Sequence, residues 1–390
     1  MGHWDRKDEQ IKIGIPTFGC DAGKSGISRY VVELIKAMGD QRGDDVIEVL
    51  GLPAENGIFT SSSQGIETIN PPLIVEKPPL SILWHLTMMP HIVKQRGYDI
   101  LFCPAGNRRL PWHSPCPVVG TVHDMSWLHL DGKYDRFRTV YLTKMLPALI
   151  GRLDKAVTVS ESSKRDILAN TTLPDKDIIV TPIAMDSEIY NENTVVDPEV
   201  MKRLNITGEY IFYVSRLEHP GKNHAALIRA FEKLCQTDTF GGNLVLVGGN
   251  FLGAEAVYKI VQESPVRDRI QMLGFVKDEN LPSLFAGASV FVFPSFYEGF
   301  GIPVLEAMAC GAPVIASDCS SLPEVGGDAV SYFDPNSADQ LCDRLVELLG
   351  NPKLRQARKA ASIARAQTFS WQRTAEQTWS VLRSLAEENK

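Results

Sequence analysis

The chain has 390 residues, long enough for two domains that each bury a core of their own. Its hydrophobic content of 44% and charged content of 22% are typical of a globular protein, and its net charge of −7 argues against a general nucleic-acid binder. Seven cysteines, without a C-x-x-C pair, argue against a disulfide framework. With no run of eighteen apolar residues and no signal peptide, we expect a cytoplasmic protein, at most peripheral at the inner face of a membrane.

The first half of the chain alternates apolar runs with helical patterns, which predicts parallel strands joined by crossover helices. Residues 51–80 are rich in Gly, Ser and Pro and are interpreted as a long irregular segment. Ser160 is predicted to cap the helix that follows it. Strands are predicted at 11–15, 45–50, 98–103, 117–122 and 156–160, and helices at 28–38 and 135–151.

The second half repeats this alternation after a polar stretch at 191–198, which is the predicted linker. From residue 336 onwards the pattern is helical, with a break at 369–371. We therefore predict domains at 1–190 and 191–371 and a C-terminal helix at 372–390. Strands are predicted at 210–214, 243–248, 270–273, 289–293 and 314–317, and helices at 223–235, 253–263, 278–287 and 301–310.

The most informative segment places two carboxylates, Glu298 and Glu306, on either side of a turn formed by Gly299, Phe300 and Gly301. The turn follows an apolar strand and opens a helix. Such an arrangement presents backbone N–H groups and the positive end of a helix to a cleft, which suits a phosphate. Glu306 lies about two helical turns after Glu298 on the same side, so both can flank one ligand.

This segment, 293–313, resembles the Glu-x7-Glu signature of the retaining glycosyltransferases of family 4, which have the GT-B fold. The resemblance implies an α/β protein with two Rossmann-like, doubly wound parallel-sheet domains that face each other across a cleft. It also implies that the N-terminal domain binds the acceptor, that the C-terminal domain binds a nucleotide sugar, and that the last helix crosses back onto the first domain. Glu298 would then face the donor sugar and Glu306 the ribose.

Two cations, Arg216 and Lys222, follow the predicted strand at 210–214. A departing nucleotide diphosphate needs fixed positive charge when no metal is present, and ligands of open α/β sheets bind at the carboxyl ends of strands. The pair resembles the diphosphate clamp of the family; taken alone, it could equally be two solvated cations near a turn. Gly248 ends another strand and is expected to line the base pocket, with a tight turn as the alternative.

In the first domain, His123 and Asp124 follow the strand at 117–122. The resemblance implies that His123 contacts the donor hexose and that Asp124 orients it or contacts the acceptor. The alternative is a histidine at the end of a strand that bonds only to the backbone. Residues 23–30 resemble the Gly-Gly-Ile loop of the family, with Gly26 as a backbone donor and Ser25 in place of the first glycine, which would be costly if φ is positive there.

Two further segments have an open interpretation. The loop at 317–327, with Ser321, is either a polar surface turn or a support for the diphosphate or the sugar. The helix at 135–151 combines Phe137 and Tyr141 with several cations, which fits a core helix or a face for a lipid-linked acceptor at the membrane surface.

The expected activity is retaining, metal-independent transfer of a hexose from a nucleotide diphosphate sugar to a glycan or lipid-linked hydroxyl acceptor. Resemblance to mannosyl- and rhamnosyltransferases of surface polysaccharide assembly makes GDP-mannose the first donor, with UDP- or dTDP-sugars as alternatives. No cofactor, metal or nucleic acid is expected, and the oligomeric state is left open.

Other classes are weighed against this one. A catalytically silent GT-B binding subunit is the main alternative, while the spacing of Glu298 and Glu306 speaks against a UDP-GlcNAc epimerase. A P-loop needs four residues between its glycines, whereas three separate Gly19 from Gly23, and no dinucleotide fingerprint follows a strand. A metal-dependent transferase of the other common fold would need an Asp-x-Asp motif in a loop at the end of a strand, and we expect none anywhere in the chain.

Overall fold

The computed structural model describes residues 10–17, 25–53, 56–60, 66–72, 78–128 and 139–389. The chain divides into two compact units, one formed by Met1–Ile183 with Trp371–Lys390 and the other by Ala184–Ser370. In the described part of the chain, no helix combines the length and the apolar character needed to cross a membrane. The six cysteines in these residues are all free.

The first unit contains a seven-stranded parallel sheet in the order β3-β2-β1-β4-β5-β6-β7. The strand order reverses between β1 and β4, as in a doubly wound sheet, and ligands of such sheets bind at the carboxyl ends of the strands at this point. The strands are β1 Lys12–Pro16, β2 Val46–Leu50, β3 Ile66–Ile69, β4 Ile100–Cys103, β5 Val118–Val122, β6 Lys155–Thr158 and β7 Ile178–Val180.

Helices cover this sheet, and the C-terminal helix belongs to the same unit. Helix Trp371–Glu388 packs against Gly26–Gln41, where the rings of Trp371 and Tyr30 lie 5.9 Å apart. Arg383 of this helix pairs with the buried Asp45 at 3.1 Å. The α-helices of the unit are Gly26–Gln41, Asn56–Thr60, Pro78–Thr87, Met89–Arg96, Leu146–Ile150, Glu161–Asn170 and Trp371–Glu388.

The interpretation of residues 51–80 as irregular is wrong. Helices begin at Asn56 and Pro78 within this stretch, and β3 pairs in parallel with β2 from Ile47↔Ile66 to Leu50↔Ile69. An edge strand of four residues, of which only Ile66 is buried, is too short to show a hydrophobic alternation. Its backbone pairing with β2, rather than its side-chain pattern, defines it.

The helix predicted at 135–151 is described only from residue 139, and Phe137 lies outside the described residues. Tyr141–Met145 form a π-helical turn, in which the N–H of Leu146 donates to the carbonyl of Tyr141. An α-helix, Leu146–Ile150, follows. Pro147 has no N–H to continue the regular ladder, which accounts for the interruption.

The second unit contains a six-stranded parallel sheet in the order β10-β9-β8-β11-β12-β13, which reverses between β8 and β11. All five strands predicted here are confirmed within one or two residues, and the short β13 was missed. The strands are β8 Tyr210–Val214, β9 Asn243–Val247, β10 Ile270–Gly274, β11 Val290–Phe293, β12 Val314–Ser317 and β13 Ser331–Phe333.

The helices of this unit surround a sheet whose centre is aromatic. Phe291 on the buried β11 packs edge-on against Phe285 with ring centroids 5.1 Å apart, and Phe285 meets Phe212 of β8 at 5.2 Å. These contacts hold the two central strands together. The helices are Pro198–Arg203, His224–Leu234, Ala254–Glu263, Leu281–Gly287, Ile302–Ala309, Leu322–Gly326, Ala338–Gly350 and Pro352–Ala366.

Candidate active site

The predicted donor residues of the second unit follow the two strands at which its sheet order reverses. Arg216 and Lys222 lie after β8, and the turn from Glu298 to Gly301 lies after β11. These strands are neighbours, so their carboxyl ends meet at one edge of the sheet. This edge is the ligand-binding position of a doubly wound fold.

Lys222 and Glu298, which are 76 residues apart in the chain, are in direct contact. The Nζ atom of Lys222 lies 2.5 Å from Oε1 of Glu298, and the two side chains are only 17% and 15% exposed. Lys222 and the turn that carries Glu298 therefore lie together in the folded unit. An ammonium and a carboxylate held this closely can together bind a ligand that carries both phosphate and hydroxyl groups.

Arg216 makes different contacts. Its guanidinium lies 3.2 Å from the buried carboxylate of Glu218 and stacks on the ring of Phe251 at 4.1 Å from the centroid. About half of the Arg216 side chain is exposed. The structure thus places Lys222 at the acidic turn and Arg216 against Phe251 in the loop after β9. The two predicted members of the clamp therefore contact different parts of the second unit.

Two serines hold the turn at 298–300. The backbone N–H of Glu298 donates to Oγ of Ser320 at 3.0 Å. The hydroxyl of Ser321 lies 3.0 Å from the carbonyl oxygen of Glu298 and 2.9 Å from that of Phe300. Ser321 is fully buried, so its hydroxyl faces the turn and positions it.

Gly301 makes the start of the following helix possible. Its φ of +100° is unfavourable for a residue with a Cβ, and an added Cβ would lie 2.6 Å from Leu322 Cδ2. Helix Ile302–Ala309 begins at the next residue, and its second turn carries Glu306, which is buried at 4% exposure. Phe300 is also buried, with its ring edge-on to Phe369 at 5.8 Å.

Gly248 allows two strand ends to approach closely. Its φ is +151°, and a Cβ at this position would lie 1.7 Å from the carbonyl oxygen of Ser215, the residue before Arg216. Its own N–H donates to the carbonyl of Gly274 at 2.8 Å. The glycine therefore lets the end of β9 approach the segment that leads into Arg216, while its expected place in the base pocket stays a prediction.

Sequence reasoning missed Asn223, which ties the Lys222 loop to the rest of the site. Asn223 is buried, has a φ of +53°, and its amide donates to the carbonyls of Pro294 at 3.0 Å and Pro335 at 2.8 Å. Asparagine is one of the few residue types that adopt this conformation readily. Its position just before a helix could have marked Asn223 as a helix cap. The bonds to Pro294 and Pro335 could not be predicted, because these residues are distant in the chain.

In the first unit, His123 is buried at the end of β5. Its Nε2 lies 2.9 Å from the carbonyl oxygen of Pro104, so Nε2 carries the proton, and its ring meets Tyr30 edge-on at 4.5 Å. Burial lowers the pKa of His123 to about 4, and the imidazole is neutral at neutral pH. Oδ1 of Asp124 accepts a hydrogen bond from the N–H of Ser126 at 3.0 Å.

Ser25 caps the first helix without strain. Its φ is −108°, and its Oγ accepts the N–H of Ser28 at 3.4 Å. The cost that a positive φ would impose on a serine therefore does not arise. Gly26 is the first residue of the helix, while Gly23 and Lys24 lie outside the described residues.

The described part of the basic and aromatic helix belongs to the core. Tyr141, Leu146 and Leu149 are buried in the first unit, which matches the core-helix interpretation. Lys144 is exposed on the other side. This distribution is that of a core helix with a solvated edge.

One Asp-x-Asp triplet, Asp175-Lys176-Asp177, does occur, and it lies before β7 rather than after a strand. Asp177 pairs with Lys155 at 2.7 Å and Asp175 with Lys164 at 3.0 Å. Within the described ranges, His, Cys, Asp and Glu side chains form no group of three or more that could hold a metal ion.

Comparison with known proteins identifies the family of this chain. Residues 24–188 match the family model described as Glycosyltransferase Family 4, and residues 197–365 match that described as Glycosyl transferases group 1. An O-antigen chain mannosyltransferase B from Escherichia coli is 32% identical over 365 residues, covering 91% of this chain and 94% of the relative. This chain is a family 4 glycosyltransferase.

Solved structures show the same fold for this glycosyltransferase. A sucrose-phosphate synthase from Thermosynechococcus elongatus superposes with a TM-score of 0.77 at 19% identity, covering 97% of this chain and all of the other. Anabaena Alr3699/HepE, in complex with UDP and glucose, gives 0.72 at 18% identity, covering 96% of this chain and all of the other. At these identities the likeness concerns the fold, which is GT-B.

The buried histidines of the glycosyltransferase predict how its stability depends on pH. Burial lowers the pKa values of His123 to about 4 and of His85 and His224 to about 3, whereas each is near 6.5 when unfolded. The neutral histidines therefore stabilise the folded protein fully above pH 6.5. This stabilisation decreases as the pH falls below 6.5, because the histidines then take up protons in the unfolded chain but not in the folded one. Each histidine should lower the free energy of unfolding by about 1.4 kcal/mol per pH unit between its two pKa values.

Urea unfolding at a series of pH values between 7 and 5 measures this loss. His224→Leu removes one titrating group from the second unit, so the stability of that unit should fall less steeply with pH than in the wild type. Equal slopes for the two proteins would contradict the assignment.

Proposed function

We propose that this glycosyltransferase transfers a hexose from a nucleotide diphosphate sugar to a hydroxyl acceptor, with retention of the anomeric configuration and without a metal. The contact of Lys222 with Glu298, at the carboxyl edge where β8 meets β11, carries the proposal. It places a cation and a carboxylate beside the start of helix Ile302–Ala309. A diphosphate bound there would meet a fixed ammonium and the positive end of a helix.

The main chemical task is to stabilise the diphosphate as it leaves. Lys222 and Arg216 would neutralise its developing charge, and the N–H groups of the turn at 299–301 would bind its oxygens. Because Lys222 is already held in place by Glu298, this part of the site needs little reorganisation. The buried Glu306 would bind the ribose hydroxyls.

Glu298 of the second unit is proposed to hold the donor hexose, and His123 of the first unit is proposed to contact a sugar hydroxyl. A carboxylate paired with an ammonium at 2.5 Å is a poor nucleophile, so we favour front-face displacement, in which the leaving phosphate assists the attacking hydroxyl. The neutral imidazole of His123, with its proton on Nε2, can accept a hydrogen bond from a sugar hydroxyl at Nδ1.

GDP-mannose is the proposed donor, because the similar Escherichia coli protein is named as an O-antigen chain mannosyltransferase. A UDP-sugar is the alternative, since HepE was solved with UDP and glucose. The proposed acceptor is a glycan or a lipid-linked sugar, bound by the first unit. We propose that the enzyme works in the cytoplasm or at the inner face of a membrane.

Thermal unfolding with GDP, UDP, dTDP and ADP, each with and without Mg²⁺, tests the proposal. One nucleotide should raise the midpoint equally with and without Mg²⁺, and the shift should be lost in Glu306→Ala. Glu347→Ala, an exposed glutamate on a helix of the same unit, is the matched control and should keep the shift. No shift with any nucleotide would instead favour a catalytically silent binding subunit.

A further inference from the structure

We propose that a pocket beside Trp112, at the amino edge of the first sheet, is a secondary site for a neutral glycan and holds one of its hexose units. The inference rests on the proposed transfer to a glycan acceptor and adds a second place at which such a chain is bound. Only residues of the first unit carry it.

The pocket lies at the end of the sheet opposite to His123. Val118 begins β5 and Asp154 directly precedes β6, so the lining includes the amino ends of these two neighbouring strands. His123 follows the carboxyl end of β5, and the five residues of this strand span about 16 Å at roughly 3.3 Å per residue. This distance exceeds the size of a sugar ring, so only a chain of several sugars can occupy both places at once.

The pocket has the size and the lining of a site for one ring. Its volume of about 130 Å³ is below the roughly 300–1,000 Å³ of pockets that enclose a drug-sized ligand. The core residues Leu149 and Leu153 supply apolar surface, and His113, Arg152 and Asp154 supply polar groups. A hexose, which has an apolar face and hydroxyl groups around its edge, matches this mixture.

Trp112 provides an aromatic surface for the apolar face of the ring. It is 50% exposed, although tryptophan is largely buried in most proteins. The guanidinium of Arg152 lies over the indole at 5.0 Å from the ring centroid, and Pro111, Pro115 and Pro117 restrain the backbone on both sides of Trp112. The indole is therefore held in place before a ligand binds, which lowers the entropy that binding costs.

Hydrogen-bonding groups of both kinds surround this aromatic surface. Oδ2 of Asp154 accepts the N–H of Val118 at 2.7 Å, which orients the carboxylate, and its other oxygen bonds to no residue that the structure describes. The guanidinium of Arg152 likewise forms no ion pair with a described residue. Because each sugar hydroxyl is both a donor and an acceptor, it can pair with the carboxylate oxygen and with a guanidinium N–H.

The charges and the exposed apolar surface favour a neutral glycan over an anion or a lipid surface. The carboxylate of Asp154 balances the guanidinium of Arg152, so the lining has no second fixed cation for a phosphate. Between residues 104 and 126, all of which the structure describes, Trp112 is the one large apolar side chain that is exposed. A segment that lies in a membrane surface presents a whole apolar face instead.

Native electrophoresis of the full chain through gels that contain α-mannan, dextran or a galactan tests the site. At least one of these polysaccharides should slow the wild type, and Trp112→Ala should weaken this binding by about fivefold or more. Leu83→Ala is the matched control and should migrate as the wild type does, because Leu83 is an apolar residue of the same unit that is 56% exposed and lies outside the pocket. If Trp112→Ala folds poorly, Arg152→Ala makes the same test, since the exposed Arg152 stacks on the same indole.

Transfer to acceptors of different length separates this site from the active site. Trp112→Ala should lower kcat/KM by about fivefold or more, through KM, for the polysaccharide that slows the wild type, and by less than about twofold for a monosaccharide glycoside of the same sugar. A wild type that none of the three polysaccharides slows, undiminished retardation of Trp112→Ala, or equal losses for both acceptors would overturn the site. A wild type that a polysaccharide slows but no nucleotide stabilises would instead remove the proposed function.

Discussion

Lys222→Ala should lower kcat/KM for hexose transfer by about 10²–10³-fold, the loss typical of removing one group that stabilises developing charge. The physical reason is the contact of Lys222 with Glu298, which fixes the cation where the leaving diphosphate would bind. The substitution also leaves the largely buried carboxylate of Glu298 without its counter-charge. Initial rates with the donor that the thermal experiments identify measure the effect.

Lys233→Ala provides the matched control for this prediction. Lys233 is also a lysine of the second unit paired with a carboxylate, that of Asp339, but it is about half exposed on the helix after the Lys222 loop. Its loss should change the rate less than twofold, because exposed ion pairs contribute little. Lys222→Arg should recover part of the activity. Transfer by Lys222→Ala within threefold of the wild-type rate would exclude the proposed role.

Gly248→Ala should destabilise the second unit by about 3 kcal/mol or more and abolish its stabilisation by nucleotide. The added Cβ would lie 1.7 Å from the carbonyl oxygen of Ser215, a separation at which the backbone must move. Because Ser215 directly precedes Arg216, a shift of its backbone would also move Arg216 away from the proposed diphosphate site. Urea unfolding with and without nucleotide measures both effects.

The neighbouring glycine is the control. A Cβ at Gly249 would meet no atom within 4 Å, and Gly249 is not among the residues with positive φ. Gly249→Ala should therefore unfold within about 1 kcal/mol of the wild type and keep its response to nucleotide. If the two variants are equally stable, the close approach at Gly248 does not decide the conformation of the Arg216 loop.

Local patterns were enough to predict most of the fold. Four of the five strands predicted in the second unit, β8, β9, β11 and β12, lie inside its sheet, where a buried parallel strand reads as a continuous apolar run. The fifth, β10, is an edge strand. Glu298, Gly301 and Glu306 were found for the same reason, since they lie within one strand–turn–helix segment. The short strands β3, β7 and β13 were not predicted. Each has only three or four residues, which is too few to show a hydrophobic pattern, so only their backbone pairing defines them.

The sequence by itself determined the fold class, the alternation of elements and the residue types available for binding a nucleotide diphosphate sugar. Only the tertiary structure decided which of them meet. Lys222 reaches Glu298, 76 residues further along the chain, because β8 lies beside β11, although β9, β10 and their helices come between the two strands in the chain. Asn223 likewise bonds to distant residues, to Pro294 after β11 and to Pro335 after β13. Such contacts depend on strand order, which arises from packing the whole sheet and is not encoded in any short segment.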